Sequence, residues 1–121
     1  MKKVTIVEDN AEINHLIKRI LISENYQVEQ YFNGLDVLDS LDEIYQSDII
    51  LLDIMLPGTD GFQIYEELKK NYPSSLNKVV FLTAMSDDKA IQFFQKNYCQ
   101  YIIKPFDPFN LLNILKKMNI T

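Results

Sequence analysis

A chain of 121 residues, 47% of them hydrophobic, is long enough to enclose a core and too apolar to be a disordered segment, so one domain over 1–121 is expected. A net charge of −5 argues against direct nucleic-acid binding, which depends on Lys and Arg meeting phosphates. The single Cys99 has no partner for an internal disulfide and reads as a small buried apolar residue; no stretch reads as a signal peptide and no run of about 18 apolar residues occurs, so a soluble cytoplasmic protein without a membrane partner is expected.

Short apolar runs alternate with segments of helical period. VTIV (4–7) is a strand candidate. Ile13, Leu16, Ile17, Ile20 and Leu21 then form one helical stripe. QVEQY (27–31) is a more polar strand, suited to a sheet edge, and Gly34 to Tyr45 reads as one helix with Leu38, Leu41 and Tyr45 inward. IILL (49–52) is a continuous apolar strand that ends on Asp53. Gly61 to Tyr72 is a helix with Ile64, Tyr65 and Leu68 inward, stopped by Pro73. VVFL (79–82) is a strand ending at Thr83, and Asp87 to Lys96 is a helix with Ile91 and Phe94 inward. YII (101–103) is a strand ending at Lys104-Pro105; Pro108 then opens a last helix with Leu111, Leu112, Leu115 and Met118 as its stripe. Strict strand–helix alternation with strands apolar throughout predicts a parallel sheet covered on both faces, a doubly wound α/β fold.

Five polar side chains stand where these strands end: Glu8 and Asp9 after the first, Asp53 after the third, Thr83 after the fourth, Lys104 after the fifth. In open α/β sheets, ligand sites form at that edge, where the strand order reverses. If strands 1 and 3 flank the reversal, Glu8, Asp9 and Asp53 converge. Crowded carboxylates repel, and each tends to keep a proton unless a cation intervenes. Mg2+ suits such a set, because it takes oxygen ligands and is commonly held by one or two carboxylates plus a phosphate. Thr83 offers a hydroxyl donor and Lys104 a point charge for phosphate. The set fits phosphoryl transfer to one carboxylate nucleophile. Taken singly, each residue has a plainer reading: Asp9 or Asn10 as the cap of the first helix, Asp53 as the head of an Asx-turn, Thr83 as the end of a strand. Their placement at one edge of one sheet is what carries the specificity.

The segments VTIVEDN (4–10), LLDIMLPGTDG (51–61), VVFLTA (79–84) and YIIKPF (101–106) resemble the receiver domain of two-component response regulators, the CheY-like family, along the whole chain. The resemblance implies a flavodoxin-like five-stranded parallel sheet of order 2-1-3-4-5, already known for that family, flanked by five helices. It implies that Asp53 accepts a phosphoryl group from the phosphohistidine of a sensor histidine kinase. Glu8 and Asp9 would help to hold Mg2+, Asp9 directly and Glu8 through water, with the backbone carbonyl of Met55 as a further ligand. Lys104 would pair with the phosphoryl group, Thr83 would move to hydrogen-bond it, and Tyr101 would turn inward as Thr83 moves. Lys104-Pro105 matches a peptide bond that is cis in the family, and Pro57 and Gly61 match the loop that shapes the pocket rim. The expected role is a switch and not an enzyme for an external substrate, with self-phosphotransfer and slow self-dephosphorylation only. Its output surface would be the helix from Asp87, the strand 101–103 and the last helix, acting on an output partner or a C-terminal effector domain.

The chain departs from that family in places. Asn97-Tyr98-Cys99-Gln100-Tyr101 stands where members often carry Gly-Ala-Asp-Asp-Tyr; Asn97 can still take a left-handed helix-end conformation, but Tyr98 is far larger than Ala and the two acids are gone. The last helix, NLLNILKKM (110–118), lacks the acid and arginines of members that dimerise through charge pairs, so a monomer or a weak apolar dimer is expected. Met55 and Met85 stand two residues beyond Asp53 and Thr83; neither side chain can orient a hydrolytic water, which points to slow dephosphorylation. His15 has no acidic partner at a useful spacing and reads as a surface residue. A receiver-like module that binds partners without phosphorylation is the alternative, but its usual mark would be loss of Asp53, of an acid after the first strand, or of Lys104. A haloacid-dehalogenase-type hydrolase would resemble Asp-x-Asp-x-Thr after the first strand, whereas Met55 and Pro57 follow Asp53 here. A flavodoxin would need a phosphate loop where Glu8 and Asp9 would repel the phosphate.

Overall fold

The structure, a computed structural model, describes residues 1–84 and 88–118. Its elements in chain order are β1 (Lys3–Val7), α1 (Ala11–Ser23), β2 (Gln27–Tyr31), α2 (Gly34–Asp39), α3 (Leu41–Ile44), β3 (Ile49–Asp53), β4 (Met55–Leu56), β5 (Thr59–Asp60), α4 (Gly61–Asn71), a 3₁₀ helix (Pro73–Lys78), β6 (Val79–Thr83), α5 (Asp88–Lys96), β7 (Gln100–Ile103) and α6 (Pro108–Met118). The long strands form one parallel sheet of order β2-β1-β3-β6-β7. This is the expected 2-1-3-4-5 order, and the reversal falls between β1 and β3. The predicted helix start at Asp87, and Met85, lie outside the described residues.

Period-two alternation along the central strands feeds two cores. Ile49 and Leu51 join Val80, Leu82, Ile17, Leu21, Leu111 and Leu115 on the face covered by α1 and α6. Ile50 and Leu52 join Phe81, Val37, Ile44, Ile64, Leu68 and Phe94 on the face covered by α2 to α5. Every residue of β3 is buried, Asp53 included. Each fully buried Leu or Ile contributes ~1.5–3 kcal/mol, so the apolar quartet before Asp53 outweighs the several kcal/mol that burying one carboxylate costs.

The expected stripes are corrected in detail. Leu16 is exposed, and the buried residues of α1 are Asn14, Ile17 and Leu21. The single helix expected over 34–45 breaks at Ser40, whose φ −122 and ψ 17 are not helical. Ser40 and its acidic neighbours favour a helix restart, and Asp42 and Glu43 occupy the first turn of α3, where negative charge suits the helix N-terminus. Val37 and Ile44 are buried there, while Leu38 and Tyr45 are half-buried. Cys99 is half-buried, against Tyr65, whose hydroxyl is pushed up to about 12 by burial first and then by the contact with Cys99.

Two helices end in Schellman motifs. At the end of α1, Asn25 is left-handed at φ 67, Tyr26 N–H donates to Leu21 O at 3.0 Å and Asn25 N–H to Ile22 O at 3.0 Å. At the end of α5 the left-handed residue is Tyr98, at φ 56, and not Asn97. There Cys99 N–H donates to Phe94 O at 2.8 Å and Tyr98 N–H to Gln95 O at 3.4 Å. Asn97 instead donates from Nδ2 to Phe93 O at 2.9 Å. The register from Phe94 to β7 therefore puts the strained conformation on a bulky residue that is 94% exposed. Relief of left-handed strain gains ~1–2 kcal/mol and the extra freedom of unfolded glycine costs ~0.5–1 kcal/mol. Tyr98→Gly is accordingly expected to stabilise the fold by about 0.5–1 kcal/mol in urea denaturation; a loss of stability would show that the Tyr98 side chain holds the turn through packing.

Candidate functional site

The site is built from strand ends. Asp53 closes β3, and the chain turns behind it through the antiparallel pair β4 and β5. Gly58 takes φ +85 at the tip of that turn. Gly61 then starts α4 directly beneath Asp53: its N–H donates to Ile54 O at 2.7 Å, and a Cβ there would lie 2.5 Å from Asp53 O. A side chain at 61 would push the helix away from the carboxylate. The role of Gly61 is thus close approach. Pro57 lies in the same turn, where its carbonyl accepts from Gly34 N–H at 3.1 Å; neither residue lines the cavity.

The β1 end is equally well held. Asn10, not Asp9, caps α1, its Oδ1 accepting from Ile13 N–H at 3.1 Å. Its own N–H donates to Glu8 Oε2 at 3.0 Å. That leaves Asp9 exposed at the cavity mouth, with Glu8 wholly buried behind it. Glu8, Asp9 and Asp53 each offer one carboxylate oxygen, and those oxygens lie within 4.8 Å of one another. A donor set of three carboxylates at that spacing suits a hard divalent cation.

From the other side comes Lys104, just after β7. Its Nζ donates to Asp53 Oδ2 at 3.0 Å and also to Glu8 Oε1. Asp53 Oδ1 accepts from Met55 N–H at 3.3 Å, so the Asx-turn geometry and the Lys104 contact coexist on the same carboxylate. Lys104 N–H donates to Thr83 O at 2.7 Å, tying β6 to the segment after β7. The Lys104-Pro105 peptide bond is cis. Thr83 is buried and lines the cavity with Met55, Ile54 and Phe62. The cavity holds about 400 Å³. Tyr101 lies outside it, half-buried on β7 and stacked on Phe94 of α5 at 4.7 Å. His15 is likewise remote, with Nδ1 paired to Gln30 Nε2 at 3.0 Å and its ring tilted against Phe32.

The titrations follow from this crowding. Asp9 is raised above the ordinary carboxylate value by partial desolvation first, then by the hydrogen bond and negative charge of Glu8, against a smaller pull from Lys104. For Lys104, burial disfavours the ammonium, but the hydrogen bonds and charges of Glu8 and Asp53 outweigh it and the net shift is upward. Among the described residues, one that the apolar pattern missed is Asn14, buried on α1. Its signal is position: it stands three residues before Ile17 and seven before Leu21, a polar side chain on the inward stripe.

Comparison with known proteins agrees with the geometry. A family model described as response regulator receiver domain matches residues 4–116. The chain is 37% identical over 120 residues to the uncharacterized transcriptional regulatory protein YbdJ of Bacillus subtilis (strain 168), covering 96% of this chain and 50% of that protein. It is 33% identical over 108 residues to the transcriptional regulatory protein ResD of the same organism, covering 88% of this chain and 43% of that one. The chain thus spans about half the length of the curated relatives it matches. Among solved structures, a CheY-like response regulator receiver domain protein from Methanospirillum hungatei JF-1 superposes with a TM-score of 0.85 at 28% identity, covering 98% of this chain and 94% of that one. The BeF3-activated receiver domain of DrrB gives 0.84 at 29% identity, covering 100% and 99%.

Because its folded value is raised, Lys104 contributes stability that is fully present below its ordinary value of 10.5 and is lost as the pH rises through the raised one. The difference in unfolding free energy between the parent and Lys104→Met is therefore expected to stay level from about pH 7 to about pH 10 and to shrink above that. Urea denaturation across the range checks this; a difference that is already shrinking below about pH 10 contradicts the pairing.

Proposed function

The chain belongs to the response regulator receiver domain family, and on that premise we propose that it is a phosphoacceptor switch in which Asp53 takes a phosphoryl group from the phosphohistidine of a sensor kinase. A carboxylate oxygen of Asp53 attacks phosphorus, the P–N bond to the kinase imidazole breaks, and the imidazole leaves with that electron pair. The observation that carries this reading is the pairing of buried Asp53 with Lys104 Nζ at 3.0 Å beside the carboxylates of Glu8 and Asp9. Lys104 can follow the developing phosphoryl charge without leaving the site, because its backbone is anchored to Thr83. Receiver domains of the family bind Mg2+ at an acidic pocket. Here Glu8, Asp9, Asp53 and the Met55 carbonyl would hold it. When bound, the ion supplies positive charge against phosphoryl oxygens.

The relatives are transcriptional regulators, and receiver domains are signalling domains and not classical enzymes. We read the whole chain, 1–121, as one such domain, acting on an output partner or on an effector domain joined to it. Phosphorylation of Asp53 adds negative charge and acceptor oxygens at the cavity floor. Thr83 and Lys104 bind those oxygens better in one arrangement than another, and that difference shifts a two-state equilibrium. Thr83 pairs with Ile103 on β7, and Tyr101 on the same strand stacks on α5. The readout surface is therefore α5, β7 and α6. Among the described residues, no helix is long and apolar enough to cross a membrane.

Intact mass after incubation with Mg2+ and a small acyl-phosphate donor tests the chemistry. The parent is expected to gain one phosphoryl group, and Asp53→Ala or omission of metal to abolish the gain. No gain in a folded parent that also fails to bind beryllofluoride would replace this reading with phosphorylation-independent partner binding. For the coupling, Thr83→Ala is expected to gain the same mass while the phosphorylation-induced resonance shifts at Tyr101 and in α6 largely vanish. Undiminished shifts in that variant would remove Thr83 from the switch.

A further inference from the structure

We propose that Asn14 is a positioning residue for the acidic pair Glu8-Asp9 and thereby sets how tightly the cavity takes a divalent cation; the proposal rests on the reading of Glu8, Asp9 and Asp53 as a Mg2+ site. Asn14 does not line the cavity. It is wholly buried within α1 and spends its amide nitrogen on backbone. Nδ2 donates to Glu8 O at 2.9 Å and to Tyr31 O at 3.0 Å, while Oδ1 accepts from Gln30 Nε2 at 2.9 Å.

The consequence is a clamp on both sides of Glu8. Its N–H donates to Tyr31 O at 3.1 Å, and its carbonyl is held by Asn14. The Glu8 carbonyl and the Asp9 N–H share one peptide plane, so holding that carbonyl restrains ψ of Glu8 and φ of Asp9, the two torsions that set how the chain carries one carboxylate relative to the other. One side-chain amide thus ties the end of β1 to the end of β2 and fixes the turn that presents the acidic pair. An apolar side chain of similar size would fill the stripe with Ile17 and Leu21, yet it would leave the buried Glu8 carbonyl without this donor. Outer partners of this kind set ligand orientation, and their loss typically weakens metal binding ~10–100-fold.

A merely structural amide would lower stability without changing affinity, so the test needs a control that loses a buried hydrogen bond elsewhere. Ser47 supplies it: its Oγ is hydrogen-bonded to Thr5 Oγ1 in a buried pair just before β3, away from the strand ends that form the cavity. Amide NMR titration with MgCl2, alongside urea denaturation, is run on the parent, Asn14→Leu and Ser47→Ala. The Mg2+ Kd is expected to rise about tenfold or more in Asn14→Leu and to stay within about twofold in Ser47→Ala. An Asn14→Leu Kd within about twofold of the parent overturns the proposal and leaves the Mg2+ reading standing. An equal rise in Ser47→Ala overturns it as well, because the effect is then general loosening. A parent without a saturable Mg2+ response overturns both readings. Should Asn14→Leu fail to fold, Asn14→Ser decides: it keeps a polar side chain but is too short to supply both donors to the Glu8 and Tyr31 carbonyls, and a weaker Mg2+ Kd supports the clamp while an unchanged one overturns it.

Discussion

Like charges brought to one end of a parallel sheet are the constraint on which the rest of this molecule depends. Glu8, Asp9 and Asp53 place carboxylate oxygens within 4.8 Å of one another, two of the three side chains being buried. Such a cluster is unfavourable unless a cation answers it. Lys104 is that cation, and it can reach Glu8 and Asp53 only because β7 lies beside β6 and ends level with Thr83. The strand order, the two apolar cores that hold the strands and the backbone link from Lys104 to Thr83 all serve to place one ammonium.

The same arrangement suits the proposed switch. A group held between opposing demands, burial against ion pairing in the case of Lys104, changes its balance when charge is added nearby. The two sides of the site differ in how closely they are tied. On the β1 and β3 side, a buried amide, a helix cap and a close glycine approach pin the carboxylates. On the β7 side the strand is at the sheet edge, Tyr101 is half-buried, and the turn before it carries a left-handed Tyr98. Under the proposed phosphorylation, new charge at Asp53 meets a closely tied wall on one side and a sheet edge on the other, which favours a readout through α5, β7 and α6.

Particular residues show where sequence reading reached and where it stopped. The chain IILL-Asp53 announced a buried strand with a carboxylate at its end, because four consecutive apolar residues have few other folded uses. The grouping of Glu8, Asp9, Asp53, Thr83 and Lys104 at one edge followed from alternation alone, since every parallel strand delivers its C-terminus to the same side. The break at Ser40 was invisible because 34–45 keeps an acceptable helical period through it. The exposure of Leu16 and the burial of Asn14 were passed over for the opposite reason: an apolar pattern weighs residue type above position, and only the neighbouring carbonyls of Glu8 and Tyr31 make an amide the better occupant of the inward stripe.

By itself the sequence determined the alternation of the five long strands with helices, the parallel doubly wound sheet and the set of polar residues at the C-terminal edge of that sheet. These depend on local period and on the direction of each strand, both written in the order of the residues. Tertiary structure alone decided that Asn10 and not Asp9 caps α1, that Tyr98 and not Asn97 turns left-handed, and that Gly61 serves close approach under Asp53. It also decided that Lys104 bridges Glu8 and Asp53. Each of these is a choice among nearby residues of similar local preference, and what settles it is the distance to an atom supplied by a different part of the chain.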